Sequence, residues 1–98
     1  MKKYELMTIY PLDDEKSKTG AEDVKSTLKK FGVEKFIDEK SYGDRDLPYE
    51  INKQKRGRFV LYTMELNPSK LVEIANEFKI NMNLLKYQFV KLEDSKEK

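Results

Sequence analysis

The stretch Arg58-Phe59-Val60-Leu61-Tyr62-Thr63-Met64-Glu65-Leu66-Asn67-Pro68 decides how the rest of the chain is read. Branched and aromatic residues dominate it. Phe59, Leu61 and Thr63 alternate with Val60, Tyr62 and Met64, the period of two that places successive side chains on opposite faces of a strand. Both sets are largely apolar, so one face suits a covering layer of helices and the other is greasier than a purely solvated face needs to be. The strand ends at Asn67-Pro68. An asparagine accepts from the orphan amides of a helix start, and a proline there has no amide hydrogen to leave unpaired. Leu71, Ile74, Ala75 and Phe78 then share one stripe of a helix.

Working outward, Tyr4 to Tyr10 alternates in the same way, with Tyr4, Leu6, Thr8 and Tyr10 on one side, and Pro11 closes it. Asp13 to Lys18 reads as a charged loop. Thr19 and Glu22 form a capping box, from which a helix runs with Ala21, Val24, Leu28 and Phe31 on one face to a stop at Gly32. A long second strand covers Val33 to Ile51, with a bulge expected at Gly43, and Asn52 to Gly57 reads as a polar turn before the third strand. Leu84 to Leu92 reads as a last strand. The order is β-α-β-β-α-β, an α+β, ferredoxin-like arrangement in which a four-stranded antiparallel sheet carries two helices on one face. Residues 1–92 are expected to form one domain and residues 93–98, which have no apolar anchor, a mobile charged tail.

The 98 residues include no cysteine and no histidine, so thiolate metal sites, disulfides and the commonest general base are all absent. Asp13-Asp14-Glu15 lacks the glycine and spacing of a calcium loop and reads as solvated. The four glycines make no phosphate cradle. The start Met1-Lys2-Lys3-Tyr4-Glu5 carries no signal-like apolar block, and no apolar run is long enough to span a bilayer. The expected class is a soluble non-enzyme with no catalytic residue, metal or cofactor. An acylphosphatase has the same fold class, but a fold does not carry a reaction with it.

The net charge is only +2, yet its distribution is uneven. Residues 1–44 hold 9 basic and 10 acidic groups and residues 59–98 hold 6 of each, so the excess falls in residues 45–58, with 5 basic and 2 acidic. Lys53, Lys55, Arg56 and Arg58 sit at the tip of the expected hairpin, where they suit either phosphate contact or a solvated loop. Lys2 and Lys3, beside Tyr4, form a second basic spot at the opposite end of the sheet. If Tyr62, Met64, Tyr87 and Phe89 pack under the helices, then Met7, Ile9, Phe59, Leu61 and Val90 share the open face. Such a patch marks either a partner surface or ordinary apolar exposure. Arg56 to Tyr62 also matches, loosely and with a one-residue gap, the aromatic motif by which RNA-recognition modules stack bases. A free-standing module that binds single-stranded RNA is therefore an alternative reading.

Several stretches in this order and spacing resemble the bacterial small-subunit ribosomal protein six family: Lys3-Tyr4-Glu5, then Gly43, Arg45, Leu47, Tyr49 and Ile51-Asn52-Lys53, then Gly57 to Tyr62 and Leu84 to Lys91. The resemblance covers nearly the whole chain apart from the tail. It implies a ferredoxin-like fold, binding to the central domain of small-subunit rRNA, pairing with small-subunit ribosomal protein eighteen, and a cytoplasmic, ribosome-associated setting, with neither a membrane nor a small-molecule substrate. It also implies RNA contacts at Lys2, Lys3 and Lys86, with Tyr4 beside them. Pro48 stands where the family usually has alanine, and Lys86 where arginine is commoner.

Overall fold

The computed structural model describes residues 2–34, 36–51 and 53–92. The expected tail, residues 93–98, lies outside them. The elements are β1 (Lys2–Tyr10), α1 (Asp14–Lys30), β2 (Phe36–Ile51), β3 (Gln54–Leu66), a 3-10 turn (Pro68–Lys70), α2 (Leu71–Lys79) and β4 (Lys86–Lys91). All strand pairs are antiparallel and the sheet order is β2-β3-β1-β4, the ferredoxin-like α+β arrangement.

One face of the sheet is sealed by the helices. Tyr4, Leu6 and Tyr10 of β1 and Tyr62, Met64 and Leu66 of β3 meet Val24 and Leu28 of α1 and Ile74 and Phe78 of α2. Each of these large apolar side chains, once taken from water, contributes about 1.5–3 kcal/mol. The polar groups carried inward are paired. Thr8 donates its hydroxyl to the Val60 carbonyl at 2.8 Å, and the Tyr10 and Tyr62 hydroxyls lie 2.9 Å apart.

Two boundaries depart furthest from the sequence reading, beside shifts of two or three residues at the starts of β2 and β4. Helix α1 begins at Asp14, not Thr19, because the Asp13 carboxylate accepts from the amides of Glu15 and Lys16 and caps the first turn. Asp14 and Glu15 then complement the positive end of the helix. The β2–β3 hairpin is also longer than expected. Strand pairing continues to Ile51 opposite Gln54, so most of the supposed polar turn is strand, and Lys53 takes a left-handed φ of 66° at the tight reversal. The register shifts three times along β2, once at Gly43 as expected and once between Asp46 and Ile51. Pro48 falls in that last interruption on an edge strand, where a missing amide hydrogen breaks no ladder bond.

Candidate nucleic-acid interface and open sheet face

The face of the sheet away from the helices carries an apolar groove. Met7 of β1, Phe59 and Leu61 of β3 and Val90 of β4 line it, with Glu5, Tyr42, Arg45 and Gln88 around them. Met7, Phe59 and Leu61 are half-buried by their neighbours, and Val90 is exposed. Arg45 is held at the groove by its own strand: its Nε donates to the Tyr42 carbonyl at 3.2 Å and its guanidinium lies 5.7 Å from the centre of the Tyr42 ring. Sequence reasoning did not place Tyr42 or Arg45 here, because the bulge at Gly43 changes which residues of β2 share a face.

Ile9 is the exception among the five residues expected on this face. It is only 3% exposed: Gly57 lies directly against its Cγ2, and the Leu47 side chain comes close to Gly57. The hairpin therefore does not extend straight outward. It bends over the end of the sheet, and Tyr49 of β2 reaches Lys86 of β4. Ile9 is corrected from open surface to covered residue.

The basic residues fall into three groups. Lys2 and Lys3 are exposed at one end of the sheet, beside Lys91, which pairs with Tyr4 in the β1–β4 register. Lys86 is opposite Ile9, six residues along β1 from Lys3, or about 20 Å. It joins the hairpin end, not the Lys2–Lys3 end. Lys53 and Lys55 are exposed at the hairpin tip.

Arg56 and Arg58 form the third group, and their charge is used internally. Arg56 Nε donates to Asp46 at 3.0 Å. Arg58 donates from Nε to Asp44 at 3.0 Å, from Nη1 to Asp14 at 3.1 Å and from Nη2 to the Leu12 carbonyl at 3.4 Å. Hydrogen bonding to Asp44 and then to Asp14 pushes the Arg58 guanidinium above its ordinary value. These carboxylates come from β2 and the start of α1, so the basic excess seen in sequence at the hairpin is partly neutralised in space.

Tyr4 is likewise withdrawn from surface contact. The residue is 6% exposed and its ring sits edge-on to Phe89 at 6.3 Å, which makes it a core residue. Tyr62, central to the loose RNA-recognition match, is fully buried. Among the described residues, no three carboxylates converge into a metal cluster, and no helix is long and apolar enough to cross a membrane.

The model of the family described as ribosomal protein S6 matches residues 3–91. The chain belongs to the ribosomal protein S6 family. A small ribosomal subunit protein bS6 of Treponema denticola is 44% identical over 94 residues, covering 96% of this chain and 100% of the relative. A bS6 of Borrelia hermsii is 34% identical over 90 residues, covering 92% of this chain and 68% of its own. The crystal structure of 30S ribosomal protein S6 from Thermotoga maritima superposes with a TM-score of 0.83 at 21% identity, covering 98% of this chain and 92% of that one, and agrees with the fold. Membership makes this chain a ribosomal protein of the small subunit, in a family of structural proteins and not of enzymes.

Proposed function

We propose that the chain binds the central domain of small-subunit rRNA and pairs with small-subunit ribosomal protein eighteen, in the cytoplasm and as part of the ribosome. The observation that carries this reading is the uncovered groove of Met7, Phe59, Leu61 and Val90, which lies between lysines at both ends of the sheet. An apolar strip on a solvated face favours a protein neighbour. Exposed lysines at Lys2, Lys3, Lys53, Lys55 and Lys86 favour phosphates, whose counterions they displace. A free-standing RNA-recognition module gains less support. Among the residues lining the groove only Tyr42 and Phe59 are aromatic, and Phe59 is half-buried.

The test is sedimentation of a lysate that contains the tagged full-length chain, together with a pairing assay against protein eighteen. Wild type is expected to travel with small subunits, and Leu61→Asp to lose the pairing while keeping its fold. A chain that stays at the top of the gradient overturns the ribosomal reading. Undiminished pairing by Leu61→Asp moves the partner away from the groove.

A further inference from the structure

Between α2 and β4 the chain holds apolar side chains out in water on a loop that is firmly anchored. Asn81 donates its side-chain amide to the Gly20 carbonyl of α1 at 3.3 Å, and the Asn81 side-chain oxygen accepts from the Asn83 amide at 3.0 Å. The Leu84 amide closes the turn onto the Asn81 carbonyl at 3.2 Å. Next to this anchor Met82 is 88% exposed. A well-tied loop with an apolar side chain this far out in solvent is displaying that side chain.

Met82 borders a depression lined by Phe78, Leu84 and Tyr87 and by Lys79 and Lys86, the ammonium of Lys86 resting 5.7 Å from the centre of the Tyr49 ring. Residues 78–92 contain three lysines and no aspartate or glutamate, although the whole chain is nearly charge-balanced. Apolar and aromatic side chains beside two lysines fit a ligand that is flat and aromatic in the middle and anionic at its edges. An unstacked nucleobase with its flanking phosphates has that chemistry. The Met82 thioether is polarisable and makes favourable contacts with aromatic rings, so it can lie over a base beside Phe78 and Tyr87.

Building on the rRNA-binding reading, we infer that this depression receives a single unpaired RNA base, with Met82 against its ring and Lys79 and Lys86 on the adjoining phosphates. An acidic protein segment would meet the same lysines and is the competing occupant, which the pairing assay separates from RNA.

The test titrates a transcript of the central domain of small-subunit rRNA, with protein eighteen present, at several salt concentrations. Met82→Ser touches no buried contact and is expected to weaken binding about threefold to tenfold with an unchanged salt slope. Lys79→Gln and Lys86→Gln are each expected to lower the slope by about one. If wild type binds and Met82→Ser binds equally well, the base site is overturned while rRNA binding stands. Weaker pairing of Met82→Ser with protein eighteen in the absence of RNA assigns the depression to a protein and also overturns it. Failure of wild type to bind the transcript removes the underlying reading and this one together.

Discussion

The Lys86 ammonium lies 5.7 Å from the centre of the Tyr49 ring, although Lys86 belongs to β4 and Tyr49 to β2, the two opposite edges of the sheet. Two strands separate them. The contact exists because the β2–β3 hairpin bends across the open face, carries Leu47 and Tyr49 with it and covers Ile9. Apolar cover at the bend, and not hairpin length alone, sets where the exposed lysines of the tip end up.

Gly57 is the residue that permits this closure. A β-carbon there would press into Ile9 Cγ2, on a branched side chain with little rotamer freedom, while Leu47 stands close by. Gly57→Ala is therefore expected to cost about 1–3 kcal/mol in urea unfolding, as overpacking does. Tyr49→Ala removes an exposed cation–π contact and is expected to cost about 0.5–1 kcal/mol. If Gly57→Ala unfolds at the wild-type midpoint, the hairpin does not close on Ile9.

Arg58 ties the base of the same hairpin to the first turn of α1 through Asp44 and Asp14. Lysine keeps the charge but cannot grip both carboxylates and the Leu12 carbonyl with one planar fork. Arg58→Lys is expected to lose about 0.5–1 kcal/mol at low ionic strength, with the difference shrinking as salt is added. Because each of its three nitrogens already donates within the chain, rRNA affinity is expected to stay within about twofold of wild type. A larger loss, measured by titration, assigns Arg58 to the RNA surface after all.

The strand order and the two core stripes were legible because their residues obey simple periods. Val24 and Leu28, and Ile74 and Phe78, face the sheet as the helical spacing requires. The start of α1 was not legible for a physical reason. Its first inward positions are Ser17 and Gly20, small residues that leave room for the α2–β4 loop at Asn83, so no apolar stripe marks them. The hairpin was misread as a turn for a similar reason: Asp44 with Arg58 and Asp46 with Arg56 stabilise a strand pair without apolar alternation. The open groove could be read from β1, β3 and β4. Its β2 wall, Tyr42 and Arg45, could not, since a bulge inverts the face count beyond it.

Lys2 and Lys3 stand about 20 Å from Lys86 along β1, so under the rRNA-binding reading they meet different stretches of backbone. Substitutions at well-separated sites add. Lys2→Gln with Lys3→Gln, and Lys86→Gln separately, are expected to lower rRNA affinity by free energies that sum in the triple variant to within about 0.5 kcal/mol. Binding to the central-domain transcript at fixed salt checks this. A triple variant no weaker than the double places all the RNA at one end of the sheet.

The Tyr10 and Tyr62 hydroxyls share a hydrogen bond inside the core, and their titration sets an alkaline limit on stability. Burial, followed by the proximity of Tyr62, pushes the Tyr10 hydroxyl well above its ordinary value, and burial pushes Tyr62 up as well. In the unfolded chain both ionise near pH 10. Their stabilising effect is complete below that pH, where both states hold the protons. Above it only the unfolded state releases them, and unfolding becomes easier. Stability is expected to hold up to about pH 10 and then fall by about 1.4 kcal/mol per pH unit for each of the two tyrosines. Tyr10→Phe alone leaves the Tyr62 hydroxyl buried without its partner and is expected to cost about 1–3 kcal/mol at neutral pH. Tyr10→Phe with Tyr62→Phe removes both hydroxyls, so its neutral-pH cost should be smaller and its alkaline decline shallower than that of wild type. An unaltered decline in the double variant, followed by urea unfolding from pH 8 to 11, would show that other groups set the alkaline limit.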